Sequence, residues 1–280
     1  MSIKTLTIVG VGLIGGSIGL AAKGRGVAKR VLGVGRHSAS LDRACAMRAI
    51  DEGLLDVGAA VSQADVAVFC TPVNCIADQI LSAAPACVPG TLLTDAGSTK
   101  AEIVRAVEGR LPAGVHFVGS HPLAGSEKRG TEHADADLFH DRLVVVTQTP
   151  LTDAAALERT AAFWRSLGAR VKIMDAEEHD RALALTSHVP HLVAAALADI
   201  LPRDLYELTA TGFRDTTRIA AGDSGLWTAI FSQNRDGVLA ALERLVHQLE
   251  LLQGALGRSD WQYVQGFLTQ AKKARDALGS

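Results

Sequence analysis

The feature of this sequence that most restricts its fold is a glycine pattern near the N-terminal end. Ile3–Val9 is a short apolar run rich in β-branched residues, and Gly-Val-Gly-Leu-Ile-Gly follows it at residues 10–15. A helical pattern then covers Gly16–Gly24. A strand, a glycine turn and a helix in this order are typical of the first unit of a dinucleotide-binding sheet. The residues predicted to contact a cofactor at this helix N-terminus are Gly10, Gly12, Leu13, Ile14 and Gly15.

Each glycine of the pattern has its own physical reason. Gly10 permits the tight turn out of the strand, Gly12 lets the backbone approach a pyrophosphate, and Gly15 lets the helix pack closely on the strand. The alternative is a glycine-rich turn that binds nothing, but the flanking strand and helix argue against it.

The end of the second strand bears on which dinucleotide binds. That strand, Arg30–Val34, ends where an NAD-selective site would place Asp or Glu to bind the ribose 2′-hydroxyl. Here Gly35 occupies that place and Arg36 follows. Because an arginine can pair with a 2′-phosphate, the sequence favours NADP over NAD. An exposed arginine on a solvated turn is the alternative. The other predicted cofactor contacts are His37, Ser38, Thr71 and Pro72.

Strand and helix patterns continue to alternate through the first two thirds of the chain. This alternation predicts an α/β fold with a Rossmann-type, doubly wound and mainly parallel sheet, and we assign it to a dinucleotide-binding domain at residues 1–174. The further predicted strands are Asp65–Cys70, Thr91–Thr94, Val115–Val118, Leu143–Thr147 and Arg170–Met174, and the further predicted helices are Leu41–Ala49, Cys75–Ala83, Ala101–Val107 and Asp153–Leu167.

No strand pattern follows the last of these strands. Asp175–Leu201 is helical in pattern and should kink at Pro190, and two long amphipathic helices are predicted over about Leu226–Leu256 and Trp261–Leu278. Residues 175–280 are therefore expected to form an all-helical domain for substrate binding and dimerisation. This domain is rich in leucine and alanine and has no sheet to cover, so a homodimer is expected.

The composition excludes some partners. The formal net charge is −2, from 28 basic and 30 acidic residues, so neither nucleic acid nor an anionic membrane is expected to bind. Apolar runs such as Leu192–Ala198 are far shorter than the roughly 20 residues of a membrane-spanning helix. No signal-peptide pattern precedes the first strand, and the four cysteines lack metal-ligand spacing, so we expect a cytoplasmic protein with free thiols.

A histidine after a short strand is the first candidate for chemistry. Val115–Val118 leads into Gly-Ser-His-Pro-Leu-Ala-Gly-Ser-Glu at residues 119–127, which puts His121 at the sheet edge where such folds bind ligands. An imidazole can donate, accept or transfer a proton near neutral pH, and Pro122 stiffens the loop that holds it. The alternative is a polar loop histidine without a chemical role.

Ser98 lies at the same predicted sheet edge. It belongs to Asp-Ala-Gly-Ser-Thr-Lys at residues 95–100, between the strand Thr91–Thr94 and the helix Ala101–Val107. Its position predicts an N-cap of that helix, a role that does not exclude a second one in a site.

Five motifs together resemble the prephenate/arogenate (cyclohexadienyl) dehydrogenase family. They occur in the family's order at residues 10–15, 95–100, 119–125, 187–191 (Ser-His-Val-Pro-His) and 212–220 (Gly-Phe-Arg-Asp-Thr-Thr-Arg-Ile-Ala). The resemblance implies a Rossmann-type domain followed by an all-helical dimerisation domain, with the active site between them. It also implies oxidative decarboxylation of prephenate or arogenate in tyrosine biosynthesis, with hydride transfer to NAD or NADP.

The resemblance also implies roles for individual side chains. His121 would accept the proton of the substrate's ring hydroxyl, and Ser98 would hydrogen-bond that histidine or the hydroxyl. Arg218 would bind the substrate's side-chain carboxylate, and His191 would line the pocket for the ring carboxylate. The remaining matched positions, for which pocket wall or scaffold is an equal alternative, are His188, Arg214 and Trp227.

Substrate choice stays open at this point. A carboxylate at Glu127 near the side-chain pocket could pair with the ammonium group of arogenate, whereas prephenate has a keto group there and offers no positive charge. If Glu127 pairs instead with Lys128 or Arg129, it selects neither substrate.

Three other hypotheses are open. A dehydrogenase of β-hydroxyacids or imines would usually need a catalytic lysine in a later helix, whereas Lys172 lies in a strand pattern. A non-enzymatic NADP-binding sensor or scaffold would not need the candidate side chains to converge. A metal site at His188 and His191 would lack a clustered third ligand, so no metal is expected.

Overall fold

The computed structural model describes residues 3–125, 128 and 130–279. The main sheet within these residues is parallel throughout. Its strands are β1 (Ile3–Val9), β2 (Ala28–Val34), β3 (Glu52–Leu54), β4 (Val66–Phe69), β5 (Leu92–Asp95) and β6 (His116–Val118). They lie in the order β3-β2-β1-β4-β5-β6. Because the strand order reverses between β1 and β4, a crevice opens beyond the carboxyl ends of these two strands, where doubly wound sheets bind nucleotides.

Helices cover both faces of this sheet. They are α1 (Leu13–Gly24), α2 (Ser38–Ala46), α3 (Val57–Val61), α4 (Val73–Ala83), α5 (Ala101–Val107) and α6 (Ala154–Ser166). Successive strand side chains point to opposite faces: Val66 and Val68 join the apolar core with α1, α2 and α6, while Ala67 and Phe69 join the core with α3, α4 and α5. The predicted Rossmann-type fold is confirmed.

A second, three-stranded sheet follows the main one. Its strands are β7 (Ser120–Pro122), β8 (Leu143–Gln148) and β9 (Arg170–Asp175), with β7 antiparallel and β9 parallel to β8. The sequence predicts β8 and β9 as strands but not their separation from the main sheet. Gly119 separates β6 from β7, and a Cβ there would lie only 2.6 Å from the hydroxyl oxygen of Thr147 on β8. After this residue β7 pairs with β8.

Every element described after β9 is helical. The α-helices are α7 (Ala176–Leu183), α8 (Val189–Asp199), α9 (Thr211–Thr217), α10 (Ser224–Gln233), α11 (Arg235–Gly257) and α12 (Trp261–Ala277). None of the helices in the described ranges has the length and apolar character needed to cross a membrane. At the predicted kink, one wider π-helical turn at Ala184–His188 directly precedes α8, whose second residue is Pro190. A proline cannot donate a hydrogen bond to the turn before it, which favours this wider turn.

The predicted single helix over Leu226–Leu256 is in fact two helices, α10 and α11, which are separated at Asn234. The backbone of Asn234 leaves the helical conformation (φ −116°, ψ 36°). Its side-chain nitrogen donates a hydrogen bond of 2.7 Å to the main-chain oxygen of Asp180 and lies 3.1 Å from Nδ1 of His188. These long-range bonds hold the break, and a local sequence pattern cannot reveal them.

The helical half packs directly on the sheet half. The Asp180 carboxylate on α7 accepts hydrogen bonds from the backbone N–H groups of Lys100 (2.8 Å) and Ala101 (2.9 Å) at the start of α5, and α10 packs against α4. A buried carboxylate from one half thus satisfies the first amide groups of a helix in the other half.

Candidate active site

One cavity occupies the crevice between β1 and β4. Its volume is about 430 Å³, and its wall is formed by the ends of β1, β2 and β4 and by the segments that follow them. The predicted cofactor contacts that line it are Gly10, Gly12, Gly35, Arg36, His37, Thr71 and Pro72. Leu13, Ile14 and Gly15 form the first turn of α1, and Ser38 is the exposed first residue of α2.

The glycine turn leaves room for a pyrophosphate. Gly10 has a φ of +96°, and a Cβ there would lie 2.9 Å from the carbonyl oxygen of Cys70. A Cβ at Gly15 would lie 2.1 Å from the carbonyl oxygen of Gly10, whereas a Cβ at Gly12 would meet no described atom within 4 Å. Among the described residues no side chain caps the start of α1, so its first amide groups can bind an anion. These residues fit a dinucleotide cofactor.

The cavity wall after β2 carries positive charge. Gly35, Arg36 and His37 line it together with Ser40 of α2. No aspartate or glutamate lines this cavity among the residues that the structure describes. A negatively charged group on a ribose would therefore meet a guanidinium and no opposing carboxylate.

A second cavity, of about 580 Å³, is lined by both halves of the chain. The sheet half contributes Ser98 after β5, His121 of β7 and a loop that includes Gly125. A Cβ at Gly125 would lie 3.5 Å from Cδ1 of Ile14, so this cavity borders the first turn of α1. The predicted site residues that the helical half contributes are His188, Arg218 and Trp227.

His121 lies on β7 opposite Val145 and is only 9% exposed. Its Nδ1 lies 2.9 Å from Nε2 of His179 on α7. Because His179 occupies Nδ1, the nitrogen that remains for the cavity is Nε2. Burial, together with the neighbouring His179, Lys100 and His188, lowers the pKa of His121 well below its usual 6.5. The ring is therefore neutral at pH 7.

A carboxylate continues the hydrogen-bond chain behind His121. Nδ1 of His179 lies 2.7 Å from Oδ1 of Asp180, and both side chains are buried. The two oxygens of Asp180 also accept the backbone N–H groups at the start of α5. The chain from the cavity inward is thus His121, His179, Asp180 and then a helix N-terminus.

His188 reaches the cavity from the π-helical turn. The side-chain nitrogen of Asn234 faces the main-chain oxygen of Asp180, because the side-chain oxygen could not donate to it. The same nitrogen lies 3.1 Å from Nδ1 of His188 and donates its second N–H there. The neutral ring of His188 then carries its proton on Nε2. Burial lowers the pKa of His188 to about 4, which the nearby Asp180 charge only partly offsets. At neutral pH this side chain offers an N–H donor and no positive charge.

Ser98 lines the second cavity but does not cap a helix. α5 begins at Ala101, and the carboxylate of Asp180 accepts the N–H groups that a serine hydroxyl would otherwise accept. The N-cap prediction is wrong because the acceptor comes from the helical half, which the local sequence does not show.

Two predicted substrate contacts are absent from the lining of this cavity. His191 is 5% exposed, and its ring stacks on the indole of Trp227 with the ring centroids 3.6 Å apart, so it supports the cavity wall from behind. Arg214 is exposed, and its Nε donates to the main-chain oxygen of Thr209 at 3.3 Å. Glu127 lies outside the described residues.

The structure adds polar residues that the sequence analysis did not single out. Lys100 pairs with Asp95, and both side chains are fully buried. Their presence in the 95–100 motif was an available signal, because a lysine next to a buried strand needs a partner. His179, Asp180 and Asn234 lie within helical patterns and gave no local signal, since their partners are distant in sequence.

Comparison with protein families gives matches over most of the chain. Residues 18–173 match the family described as prephenate dehydrogenase, nucleotide-binding domain, and residues 175–270 match prephenate dehydrogenase, dimerization domain. The cyclohexadienyl dehydrogenase of Zymomonas mobilis is 33% identical over 98% of this chain and 96% of its own length. The prephenate dehydrogenase of Bacillus subtilis is 32% identical over 98% of this chain and 76% of its own length.

Solved structures give a matching result. The prephenate dehydrogenase of A. aeolicus, in complex with hydroxyphenyl propionate and NAD+, is 30% identical with a TM-score of 0.93, and the match covers 99% of each chain. The arogenate dehydrogenase of Synechocystis is 27% identical with a TM-score of 0.83 over 97% of this chain and 99% of its own.

Proposed function

Because the chain belongs to the prephenate dehydrogenase family, we propose that it oxidises and decarboxylates prephenate, arogenate or both in tyrosine biosynthesis. The observation that carries this proposal is the single cavity lined by His121 and Ser98 from the sheet half and by Arg218 from the helical half. This cavity borders the first turn of α1, beside the cavity that fits a dinucleotide.

His121 is the proton acceptor in the proposed reaction. Hydride leaves the ring C4 of the substrate as the proton of the C4 hydroxyl passes to Nε2 of His121. Loss of the ring carboxylate as carbon dioxide makes the ring aromatic as a phenolate, and His121 returns the proton to its oxygen. A bound nicotinamide supplies the hydride acceptor. Ser98 lines the same cavity and orients the hydroxyl or the imidazole. Aromatisation drives the reaction, so the chain's main task is orientation and proton removal.

The helical half binds the substrate's charged groups in this proposal. Arg218 pairs with the side-chain carboxylate, for which its planar fork is suited. His188 donates from Nε2 to a substrate oxygen. Trp227 forms part of the cavity wall, and His191 stacks on its indole and holds it in place. Arg214 lines no part of this cavity in the described chain and is assigned to scaffold.

NADP is the preferred cofactor in this proposal, with NAD as the alternative. Support comes from Arg36 and His37 in the cavity wall, from glycine at position 35, and from the lack of a lining carboxylate among the described residues. The A. aeolicus relative was solved with NAD+, so the preference of this chain needs its own measurement.

One activity matrix tests the function and the cofactor together. The purified protein is incubated with prephenate or arogenate and with NADP or NAD, and nicotinamide absorbance is followed. We expect turnover with at least one substrate and a lower KM for NADP than for NAD. The Arg36→Ala variant should raise the KM for NADP only, with NAD as the internal control. Equal weakening of both cofactors would contradict the assignment of Arg36, and no turnover in any arm would contradict the function.

The same matrix decides between the two substrates. Glu127 is the candidate for pairing with the ammonium group of arogenate, and a Glu127→Gln variant should then raise the KM for arogenate without changing that for prephenate. Two equal effects would mean that this carboxylate does not select the substrate.

A homodimer formed by the helical half completes the proposal, with the domain division at residues 174 and 175. The matched family profile at residues 175–270 is described as a dimerization domain. Large apolar side chains are exposed on α11 and α12, and burying them between two copies would be favourable. They include Leu239, Val246, Leu249, Leu251, Leu256, Trp261 and Leu268. Sedimentation of the purified chain measures the assembly directly.

The remaining hypotheses are less well supported. Lys172 lies on β9 opposite Val145, so it is not the helix-borne lysine that β-hydroxyacid and imine dehydrogenases usually employ. A cofactor sensor would not need a histidine from one half and an arginine from the other in one cavity.

A further inference from the structure

We propose that His179 and Asp180 are positioning residues that fix the tautomer of His121 and stabilise the positive charge it gains during turnover. The inference rests on the proposed function, in which His121 is the proton acceptor. It starts from the buried chain of three side chains, in which His121 Nδ1 lies 2.9 Å from His179 Nε2 and His179 Nδ1 lies 2.7 Å from Asp180 Oδ1.

The protonation pattern of the chain starts at Asp180. Its Oδ1 accepts the backbone N–H of Lys100 at 2.8 Å, and its Oδ2 accepts the backbone N–H of Ala101 at 2.9 Å. A carboxylate whose two oxygens both accept amide N–H groups acts toward His179 as an acceptor. The short contact to His179 therefore requires a proton on Nδ1 of His179.

That proton determines the rest of the chain. In the form of His179 that carries one proton, on Nδ1, the ring presents an unprotonated Nε2, which can only accept. His121 must then donate from Nδ1, and its Nε2 carries a lone pair toward the cavity. This is the tautomer that a base needs in order to take a proton from a substrate hydroxyl. The opposite tautomer would present an N–H and could not remove that proton.

The same chain favours the charged state that follows. When Nε2 of His121 takes the substrate proton, the Nδ1 proton can stay on His121 or move to Nε2 of His179, next to the Asp180 carboxylate. The other ionisable groups that act on His121 are Lys100 and His188, and Lys128, Arg218 and Asp223 line the same cavity. His188 is neutral, and Lys100 is paired with Asp95. The carboxylate that reaches His121 through hydrogen bonds is that of Asp180, by way of His179, and it balances the new charge.

Substitutions at His179 separate this role from simple packing. Leucine removes the acceptor for Nδ1 of His121, whereas the side-chain oxygen of glutamine can still accept there. We expect His179→Leu to lower kcat by about 10²–10⁴-fold with KM for the substrate within about threefold. His179→Gln should recover at least about tenfold of that loss. His140→Leu, at an exposed histidine, is the matched control and should leave kcat unchanged.

Asp180→Asn tests the charge. Oδ1 of Asp180 also accepts the backbone N–H of Lys100, so the amide oxygen of asparagine keeps that position and still accepts from His179, while the negative charge is lost. We expect kcat to fall by about 10²–10⁴-fold. Ring ¹⁵N spectra of histidine-labelled protein report the tautomer, with the His121 signals assigned by their loss in His121→Asn. We expect an unprotonated Nε2 of His121 in the wild type and a protonated one in His179→Leu, where Nδ1 has no acceptor.

Two results would overturn the inference. One is a protonated Nε2 on the neutral His121 ring of the wild type. The other comes from kinetics in which the wild type turns over. An unchanged kcat in His179→Leu, or equal losses in the leucine and glutamine variants, would indicate that His179 contributes packing alone. Neither result changes the turnover that tests the proposed reaction, although the first would also remove Nε2 of His121 as the proton acceptor. Absence of wild-type turnover contradicts the proposed function without touching the spectra.

Discussion

At the scale of single residues, two neutral histidines reach one cavity with opposite hydrogen-bonding character. The contacts of His121 leave an acceptor at its Nε2, and the contacts of His188 leave a donor at its Nε2. Neither assignment depends on the histidines alone, because each follows from a partner that acts in one way. The carboxylate of Asp180, which already accepts a backbone N–H, accepts from His179, and the side-chain nitrogen of Asn234 donates to His188. A site for a hydroxyl and a carboxylate needs both characters.

The low pKa of His188 makes the fold sensitive to acid. Its pKa is about 4 in the folded chain, where burial opposes the charged form, and about 6.5 in the unfolded chain. Between these values the unfolded chain binds a proton that the folded chain does not, so the free energy of unfolding decreases as pH falls. From pH 7.5 to pH 5 this group contributes a loss of about 2 kcal/mol.

His188→Asn removes this contribution while keeping an oxygen that can accept from Asn234. Urea unfolding at the two pH values should show a loss of stability that is smaller by about 2 kcal/mol in the variant than in the wild type. The same loss in both proteins would mean that His188 is not buried in its neutral form.

At the scale of elements, the loop between β5 and α5 is fixed by the buried pair of Lys100 and Asp95. Lys100 also donates to the main-chain oxygen of Ser120 at 2.9 Å, and Asp95 accepts from the backbone N–H groups of Gly97 (2.9 Å) and Ser120 (3.0 Å). The pair therefore connects the end of the main sheet to β7, and it holds Ser98 and His121 at the same cavity.

Lys100→Met tests this connection. The substitution leaves the Asp95 carboxylate buried without its cation, and we expect the free energy of unfolding to fall by about 3–5 kcal/mol. Lys29→Met, at an exposed lysine of β2, is the control and should change stability by less than about 0.5 kcal/mol. Urea titrations measure both, and a loss no larger than that of the control would show that the pair is not structurally important.

Most elements could be predicted from the sequence because their patterns are local. Most strands of the main sheet contain apolar or β-branched runs; the exception is β3, Glu-Gly-Leu, which has no such pattern and was not predicted. The glycine turn after β1 has a steric reason, which the structure shows at Gly10 and Gly15. The break at Asn234 and the capping of α5 by Asp180 could not be predicted. Both depend on hydrogen bonds between residues far apart in sequence, which no periodicity records.

At the scale of the whole molecule, the candidate site exists only where the two halves meet. The sequence motifs identify His121, Ser98 and Arg218, and the structure brings all three to one cavity. The sequence did not predict His179 and Asp180, because their contact with His121 depends on how α7 packs on the sheet half. It also placed His191 in the cavity lining, whereas packing puts it behind Trp227.

Arg218→Ala tests whether the helical half binds substrate. Loss of a charged hydrogen-bonding partner for a carboxylate should cost about 1.5–3 kcal/mol, which corresponds to a rise in substrate KM of about 10- to 100-fold. The fall in kcat should be smaller than the rise in KM. Arg203→Ala, at an exposed arginine of the same half, is the control. An unchanged KM in Arg218→Ala would make this residue part of the scaffold.

The most direct test of the account is the turnover of His121→Asn with the substrate and cofactor that the wild type prefers. Asparagine keeps a polar side chain of similar reach but cannot act as a base near neutral pH, so we expect kcat to fall by about 10³-fold or more. The dissociation constant of the cofactor, measured on the same preparation, should be unchanged. Turnover close to the wild-type rate would contradict the account, because His121 would then not be the proton acceptor.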